Sequence, residues 1–375
     1  MKLKAIDLFC GCGGLSLGIE NAGFEIIFAN DIDKTCLLTY KNNFGLDDSE
    51  VYCGDIRLLN EDDKLFKNKF KDVDLVCGGP PCQGFSMANR QRVIDDPRNF
   101  LYKEYLKFLK QTHPKFFVIE NVKGMLNKIN EIVEDIKKYL GDEYCVAYSL
   151  FNVKDFGVPQ SRERLIIIGN RLNINSSKII DNIKSRSASI KKFALGDAIL
   201  DLPELKPNRI KNSSKLENEE VGYFKVKYSY PITEFNSFIN NGKVCDFIYN
   251  HKNRYNNDRD IEIYSRLPQG CNSLHESISD IMPYKNRLNI FKDKYFKLET
   301  NKICKTITSH MRFDCNMYIH PTQARGLSPR EAARIQTFPD WFVFYGPQNN
   351  WYKQIGNAVP VKFAQIIGEE IAKCF

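Results

Sequence analysis

The chain has 375 residues, 43% of them hydrophobic and 27% charged, with a net charge of +8, which is enough apolar material for one large and one smaller packed domain. No apolar run reaches the roughly 20 residues of a membrane span, and the first residues read as a strand instead of a signal peptide, so no membrane association and a cytoplasmic location are expected. The 12 cysteines, without an export signal, read as reduced and mostly buried thiols, and the pair Cys10 and Cys12 has no second pair or nearby histidine to complete a metal site.

In chain order, residues 3–9, 24–30, 51–53, 73–77, 116–120, 144–150 and 165–169 read as strands. Residues 13–22, 33–43, 98–111 and 123–139 read as helices between them, with Asp33 as the N-cap of the second. This alternation predicts an α/β fold with a mostly parallel sheet covered by helices on both faces. The pattern breaks near Asn170, and from there to about His310 the chain is rich in Asn, Lys, Ser and Tyr with irregular strand signals, as in a smaller loop-rich domain. Helical character returns at 328–336, where Ser328, Pro329 and Glu331 resemble a capped first turn, and again at 361–373. The expected division is 1–177, 178–340 and a segment 341–375 that returns to the first domain. Between Lys178 and Arg312 there are 24 basic and 16 acidic residues, so this stretch holds the whole charge surplus. A basic face of that kind suits phosphates.

The ends of the expected strands carry the chemistry. Asp7-Leu8-Phe9-Cys10-Gly11-Cys12-Gly13-Gly14 joins the first strand to the first helix through a glycine-rich turn, and Asp31 and Asp33 follow the second strand. A carboxylate there can accept hydrogen bonds from ribose hydroxyls. Gly54-Asp55-Ile56 follows the third strand and could meet an adenine edge. Neither a phosphate-binding P-loop nor a strict dinucleotide fingerprint is present, so an adenosine ligand without pyrophosphate, such as S-adenosylmethionine, fits best. After the fourth strand comes Gly78-Gly79-Pro80-Pro81-Cys82-Gln83-Gly84-Phe85-Ser86, which displays a cysteine on a stiff loop, where a nucleophile has to be.

With these segments stand Glu120-Asn121-Val122, Gln160-Ser161-Arg162-Glu163-Arg164, the stretch Arg-Gly-Leu-Ser-Pro-Arg-Glu-Ala-Ala-Arg-Ile-Gln-Thr-Phe-Pro-Asp at 325–340, and Gly356-Asn357-Ala358-Val359-Pro360. In this order they resemble the cytosine-C5 DNA methyltransferases, especially the bacterial type. The resemblance implies a Rossmann-like methyltransferase sheet, S-adenosylmethionine as cofactor and double-stranded DNA as substrate. The segment from about Asn170 to Cys304 has no readable counterpart and would be the target recognition domain.

Cytosine C5 is a poor nucleophile, and a thiolate added at C6 makes it enamine-like, a task that falls to Cys82 by loop position and by resemblance. Glu120 would supply N3 with a proton, Arg164 would meet the cytosine O2, and Arg162 would support the Cys82 loop or a target phosphate. The base must leave the stack, and the polar stretch 86–97 suits a closing loop. The resemblance further implies that Phe9 stacks on the adenine, that Gly11 and Gly14 line the methionine end, that Cys12 is among the cofactor-binding residues, and that Asp31 holds the ribose. Asp55 and Ile56 would meet the adenine edge, with Pro80, Leu101 and Asn357 completing the pocket. Ile32 stands where relatives often carry an aromatic residue. Arg254, Arg259, Arg266, Asn272, Lys285 and Arg287 are candidate base readers, and Thr306 to Thr308 a candidate contact to the target strand. Arg330, Glu331 and Arg334 share a helical face expected to join the two domains. The expected role is modification in a restriction–modification system, by a monomer whose cognate endonuclease acts separately, in a bacterial or phage setting. An RNA-directed enzyme on the same scaffold and an inactive DNA-binding relative are the alternatives.

Overall fold

A computed structural model describes residues 2–81, 101–213, 215–227, 232–283 and 294–375. The chain divides into two compact units, one of Met1–Gly157, Arg162–Lys191 and Ala358–Phe375, the other of Val158–Ser161 and Lys192–Asn357.

The first unit is built on strands β1 (Leu3–Leu8), β2 (Phe24–Asp31), β3 (Val51–Cys53), β4 (Leu75–Gly78), β5 (Phe116–Val122), β6 (Cys145–Asn152) and β7 (Glu163–Asn170). They form one sheet in the order β3-β2-β1-β4-β5-β7-β6. The first five strands are parallel, while β7 runs antiparallel to both β5 and β6. Phe116, Phe117, Val118 and Ile119 are fully buried, as expected for a sheet covered on both faces. Helices α1 (Gly14–Asn21), α2 (Lys34–Phe44), α3 (Ile56–Leu59), α4 (Asp63–Asn68), α5 (Leu101–Thr112), α6 (Ile129–Leu140) and α7 (Ser176–Arg186) fill the connections. Asp33 caps α2 as expected, accepting from the Thr35 and Cys36 amides. The single helix expected over 123–139 is instead a 3-10 stretch, Lys123–Lys128, followed by α6; Gly124 and Asn127 are poor formers of the first turns.

Compact-unit boundaries fall at Lys191/Lys192 and Asn357/Ala358, where the sequence pattern suggested 177/178 and 340/341. The reason lies in two helices. Arg186 on α7 pairs with Glu369 and Glu370 at 2.8 Å, which ties α7 to the last helix of the chain, Val361–Ala372. That helix crosses α1 so closely that a Cβ on Gly18 would lie 2.4 Å from the Ala364 Cβ.

The second unit carries α8 (Leu195–Ile199), the antiparallel pair β8 (Gly222–Lys227) and β9 (Phe247–Lys252), α9 (Glu234–Ile239), α10 (Asp258–Arg266), α11 (Pro329–Ile335) and α12 (Gln348–Asn357), with Val361–Ala372 of the first unit as α13. Ser328 and Glu331 form the expected capping box on α11. The charged face of α11 does not serve the expected role of joining domains. Arg325 grips Glu331 at 2.6 and 2.8 Å, Arg334 grips Asp340 and Asp201, and Arg330 donates to the carbonyls of Tyr249, Pro339 and Phe342. All these groups belong to the second unit. The face is a buried internal scaffold, because burial of so many guanidiniums requires a partner for each. Among the described residues no helix is long and apolar enough to cross a membrane, and no group of three His, Cys, Asp or Glu side chains is arranged to hold a metal.

Candidate active site

The carboxyl edge of the first unit's sheet gathers the functional loops, as open α/β sheets dictate. At the end of β1 the chain enters a tight turn in which Phe9 and Gly11 adopt positive φ angles of 56° and 55°. A non-glycine residue in that region is strained and marks a constrained site. Asp31, at the end of β2, fixes the turn from the neighbouring strand. Its Oδ2 accepts from the Gly11 amide at 2.8 Å and its Oδ1 from the Asp33 amide at 2.8 Å. Burial pushes the Asp31 carboxyl up, and these backbone donors pull it partly back. Asn30 holds the end of β3 by donating to the carbonyls of Tyr52 and Gly54.

Beneath the turn lies a buried polar trio that the sequence reading did not single out. The Ser16 hydroxyl donates to Asp7 Oδ2. That uses the only serine proton, so Tyr40, 2.6 Å from Ser16 Oγ, donates to it. Tyr40 stacks on Phe44 at 4.3 Å, and a Cβ on Gly13 would strike the Phe44 ring at 2.4 Å. The trio thus supports the glycine turn from below.

The residues expected at a cofactor divide by what they expose. Ile32 is 71% exposed at this edge, available as an apolar surface. A Cβ on Gly11 would meet nothing within 4 Å, so the turn leaves open space above it. Ile56 turns its side chain into the core, which leaves only its backbone for an adenine edge. Cys12 is buried and its thiol is pushed up to about 12 by burial, so it lines the turn through its backbone as well. Gly14 opens α1, Phe9 and Leu101 pack against the core at partial burial, and Pro80 is buried. Asp55 caps α3 and is gripped by Arg57 at 2.5 to 3.0 Å, which lowers its carboxyl. Asn357 is exposed at the end of α12, in the second unit. Carboxylate acceptors, backbone amides and exposed apolar surface at this turn suit an uncharged adenosine end.

The reaction end is built from β4, β5 and β7. Because β7 is antiparallel to β5, its first residues reach the carboxyl edge, and register places Arg164 opposite Val122. Arg164 Nε lies 2.8 Å from Glu120 Oε1. The other oxygen, Oε2, faces the loop after β4, where a Cβ on Gly79 would come within 3.3 Å of it. Asn121, buried, donates Nδ2 to the Pro80 carbonyl at 2.8 Å and accepts from the Val122 amide. It ties the peptide two residues before Cys82 to β5. Sequence reasoning named the Glu120-Asn121-Val122 motif but gave Asn121 no role; a buried amide looks like any polar residue until its partner is known. Cys82 and the expected closing loop 86–97 lie outside the described residues.

Other expectations land elsewhere. Arg162 is 2% exposed and donates Nη2 to the Ala358 carbonyl at 3.0 Å, anchoring the returning C-terminal segment; at that burial it is shut off from a phosphate. Thr306 donates to the Ser161 carbonyl and Ile307 is fully buried. Arg254 donates to the carbonyls of Met311, Arg312 and Phe313, and Arg266 is held by Glu262 and Asp280. Arg259 lies 3.9 Å from Asp260, and Lys285 and Arg287 lie outside the described residues. Gln160, at the head of the Gln160-Ser161-Arg162 stretch, is buried in the second unit. It donates to Ile335 and Gln336 and accepts from the Ile307 amide.

A mostly parallel sheet of this strand order, with a glycine-rich turn after β1 and an acid–arginine pair beside the Gly79–Pro80 segment, defines a Rossmann-like methyltransferase. The family model for C-5 cytosine-specific DNA methylase matches residues 3–373, and the chain belongs to that family, whose members are DNA cytosine-5-methyltransferases. It is 33% identical over 394 residues to the Type II methyltransferase M.DdeI of Desulfomicrobium norvegicum, covering 100% of this chain and 89% of that protein. It is 35% identical to the Type II methyltransferase M1.HphI of Haemophilus parahaemolyticus, covering 100% and 87%. A solved structure from an E. coli prophage, described as a DNA modification methyltransferase, superposes with a TM-score of 0.76 at 26% identity and covers 99% of both chains. Dnmt2 of S. pombe, at 16% identity and a TM-score of 0.57 over 100% of this chain and 99% of its own, shares the fold alone.

Proposed function

We propose that this chain uses S-adenosylmethionine to methylate C5 of a cytosine turned out of double-stranded DNA, as the modification enzyme of a restriction–modification system. The observation that carries the reading is the pairing of Glu120 with Arg164 at 2.8 Å beside a loop whose Pro80 carbonyl is held by Asn121. That is an acid, a cation and a positioned loop, immediately before Cys82.

The Cys82 thiolate adds to C6, and the displaced electron pair moves toward N3, where Glu120 delivers a proton. Arg164 orients the Glu120 carboxyl and meets the cytosine O2. When bound, S-adenosylmethionine supplies the sulfonium methyl that the resulting electron-rich C5 takes up. Asp31, the Gly11 turn, Ile32 and Phe9 would hold its adenosine end, with Asp55, the Ile56 backbone, Pro80 and Leu101 around it. Loss of the C5 proton to a base, for which a bound water suffices, re-forms the C5–C6 double bond and returns Cys82 as thiolate, while N3 gives its proton back to Glu120. The Type II names of the relatives support a modification role. A monomer in the bacterial cytoplasm, with an endonuclease that cuts the unmodified site separately, completes the reading.

The test is bisulfite sequencing of DNA from cells that express the chain, alongside transfer of labelled methyl groups to DNA and to transfer RNA. Methylcytosine in one DNA context, lost in Cys82→Ser while cofactor binding survives, is expected. Label in RNA alone, or undiminished methylation by Cys82→Ser, would overturn the proposal.

A further inference from the structure

Phe313 presents a large ring to solvent, 59% exposed, on a segment that is otherwise pinned from every side. It follows the 3-10 turn Ser309–Arg312. Arg254 spans three successive carbonyls at this tip, donating Nη1 to Met311 at 2.8 Å and Nη2 to Phe313 at 2.9 Å and to Arg312 at 3.5 Å. Met311 and Cys315, on either side, are fully buried anchors. Behind the turn, Gly356 packs so tightly that a Cβ there would lie 2.2 Å from the Thr308 and Ser309 backbone. Tyr318 donates to the Thr306 carbonyl at 2.7 Å and closes the base of the loop.

An exposed ring on a rigid support serves recognition better than stability, since burial of the ring would have stabilised the fold. Its neighbours show what it suits. The Arg312 guanidinium lies 4.4 Å from the ring centroid, the His310 ring lies 5.3 Å away, and both side chains are exposed. A fixed aromatic face flanked by a guanidinium fits stacked bases and their phosphates. The tip also closes the stretch that holds the chain's entire basic surplus.

We propose that Phe313 is a DNA wedge: its ring replaces base stacking that is lost when the target cytosine leaves the duplex, while Arg312 meets a backbone phosphate. The proposal rests on the methyltransferase reading above. It makes Phe313 a positioning residue, which lowers the free energy of the extruded state without touching the reacting atoms. Arg254, expected among the base readers, then acts by holding the tip rigid. The function of the ring is to favour an opened duplex, so its benefit disappears when the duplex is already open at the target.

The experiment compares wild type, Phe313→Ala and Phe313→Trp on duplex oligonucleotides that carry the methylation site mapped by bisulfite sequencing. In one duplex the target cytosine is paired with guanine, and in the other it faces an abasic position. Phe313→Ala is expected to lose at least tenfold in kcat/KM on the paired duplex, to come within threefold of wild type on the abasic one, and to be rescued on the paired duplex by Phe313→Trp. In a Cys82→Ser background, 2-aminopurine at the target should fluoresce less with Phe313→Ala than with Phe313. A loss of equal size on both duplexes, or no loss on either, would overturn the wedge. An inactive wild type would overturn the methyltransferase reading instead. Because the side chain is exposed, melting curves of the three proteins should coincide, and a shifted curve for Phe313→Ala would itself contradict the geometry.

Discussion

Asp7 offers a prediction that follows from burial alone. Its carboxyl is fully buried, and burial, opposed by the Ser16 hydrogen bond and reinforced by the nearby Asp31 charge, pushes it up to about 7 from an ordinary 3.8. Cys77, its register partner on β4, Tyr40, through Ser16, and Cys10, Cys12 and Tyr105 are further titratable groups near it. Between pH 4 and 7 the folded protein therefore holds a proton at Asp7 that the unfolded chain has lost. Stability must fall as pH rises through that window, by about 1.4 kcal/mol per unit and about 4 kcal/mol in total, then level off above pH 7. Asp7→Asn removes the titration while keeping the shape. It carries a fixed cost, since an amide cannot match the acid's hydrogen bonding on both sides, so the difference in stability between the two proteins is the quantity to follow. Urea unfolding by far-ultraviolet circular dichroism at pH 5, 6, 7 and 8 should show the variant gaining on wild type by about 2 kcal/mol from pH 5 to 7. Parallel stability curves across that range would refute the assignment of a protonated carboxyl beneath the glycine-rich turn.

Three further perturbations separate scaffold from chemistry. Asn121→Ala should free the Pro80 carbonyl and lower kcat by about a hundredfold through misplacement of the Cys82 loop, with cofactor affinity, read by calorimetry, unchanged. Glu331→Gln strips the counter-charge from the buried Arg325 and should destabilise the protein by about 3–5 kcal/mol, seen as a lower urea midpoint; a smaller cost would mean water reaches the pair. Gly18→Val should force α1 and α13 apart and cost about 1–3 kcal/mol or more, read as a fall in melting temperature.

The legible part of this protein is the part written in strand ends. Glycine and proline clusters after apolar runs, and carboxylates one residue beyond them, are local signals, and they located the turn after β1, Asp31, Asp55, the Pro80 loop and Glu120. Asp33 and Ser328 were legible as caps for the same reason. What escaped depends on partners distant in sequence. Gln160 and Gln336 are 176 positions apart and bond each other, and nothing near either one distinguishes it from a solvated amide. The helices at 176–186 and 348–357 are polar enough to hide among loop-like residues, and only their packing makes them helices.

The arginines carry the sharper lesson, because a guanidinium reads as a phosphate ligand wherever DNA is the substrate. Here Arg162, Arg254, Arg330 and Arg334 all spend their donors on the protein's own carbonyls or carboxylates. Backbone carbonyls buried at turn and helix ends need donors, and the five N–H groups of one arginine can serve several at once. Such a residue fixes loop geometry and has fewer donors left for direct contact with a phosphate. Of the 24 basic residues in 178–312, Arg254 is thus committed to the protein's own carbonyls, and direct contact with phosphates falls to exposed side chains such as Arg312. Salt dependence of DNA binding measures this directly, since its slope counts only the cations that displace counterions. Arg312→Ala should flatten that slope by about one contact, whereas Arg254→Ala should leave the slope nearly unchanged and reduce affinity by loosening the tip.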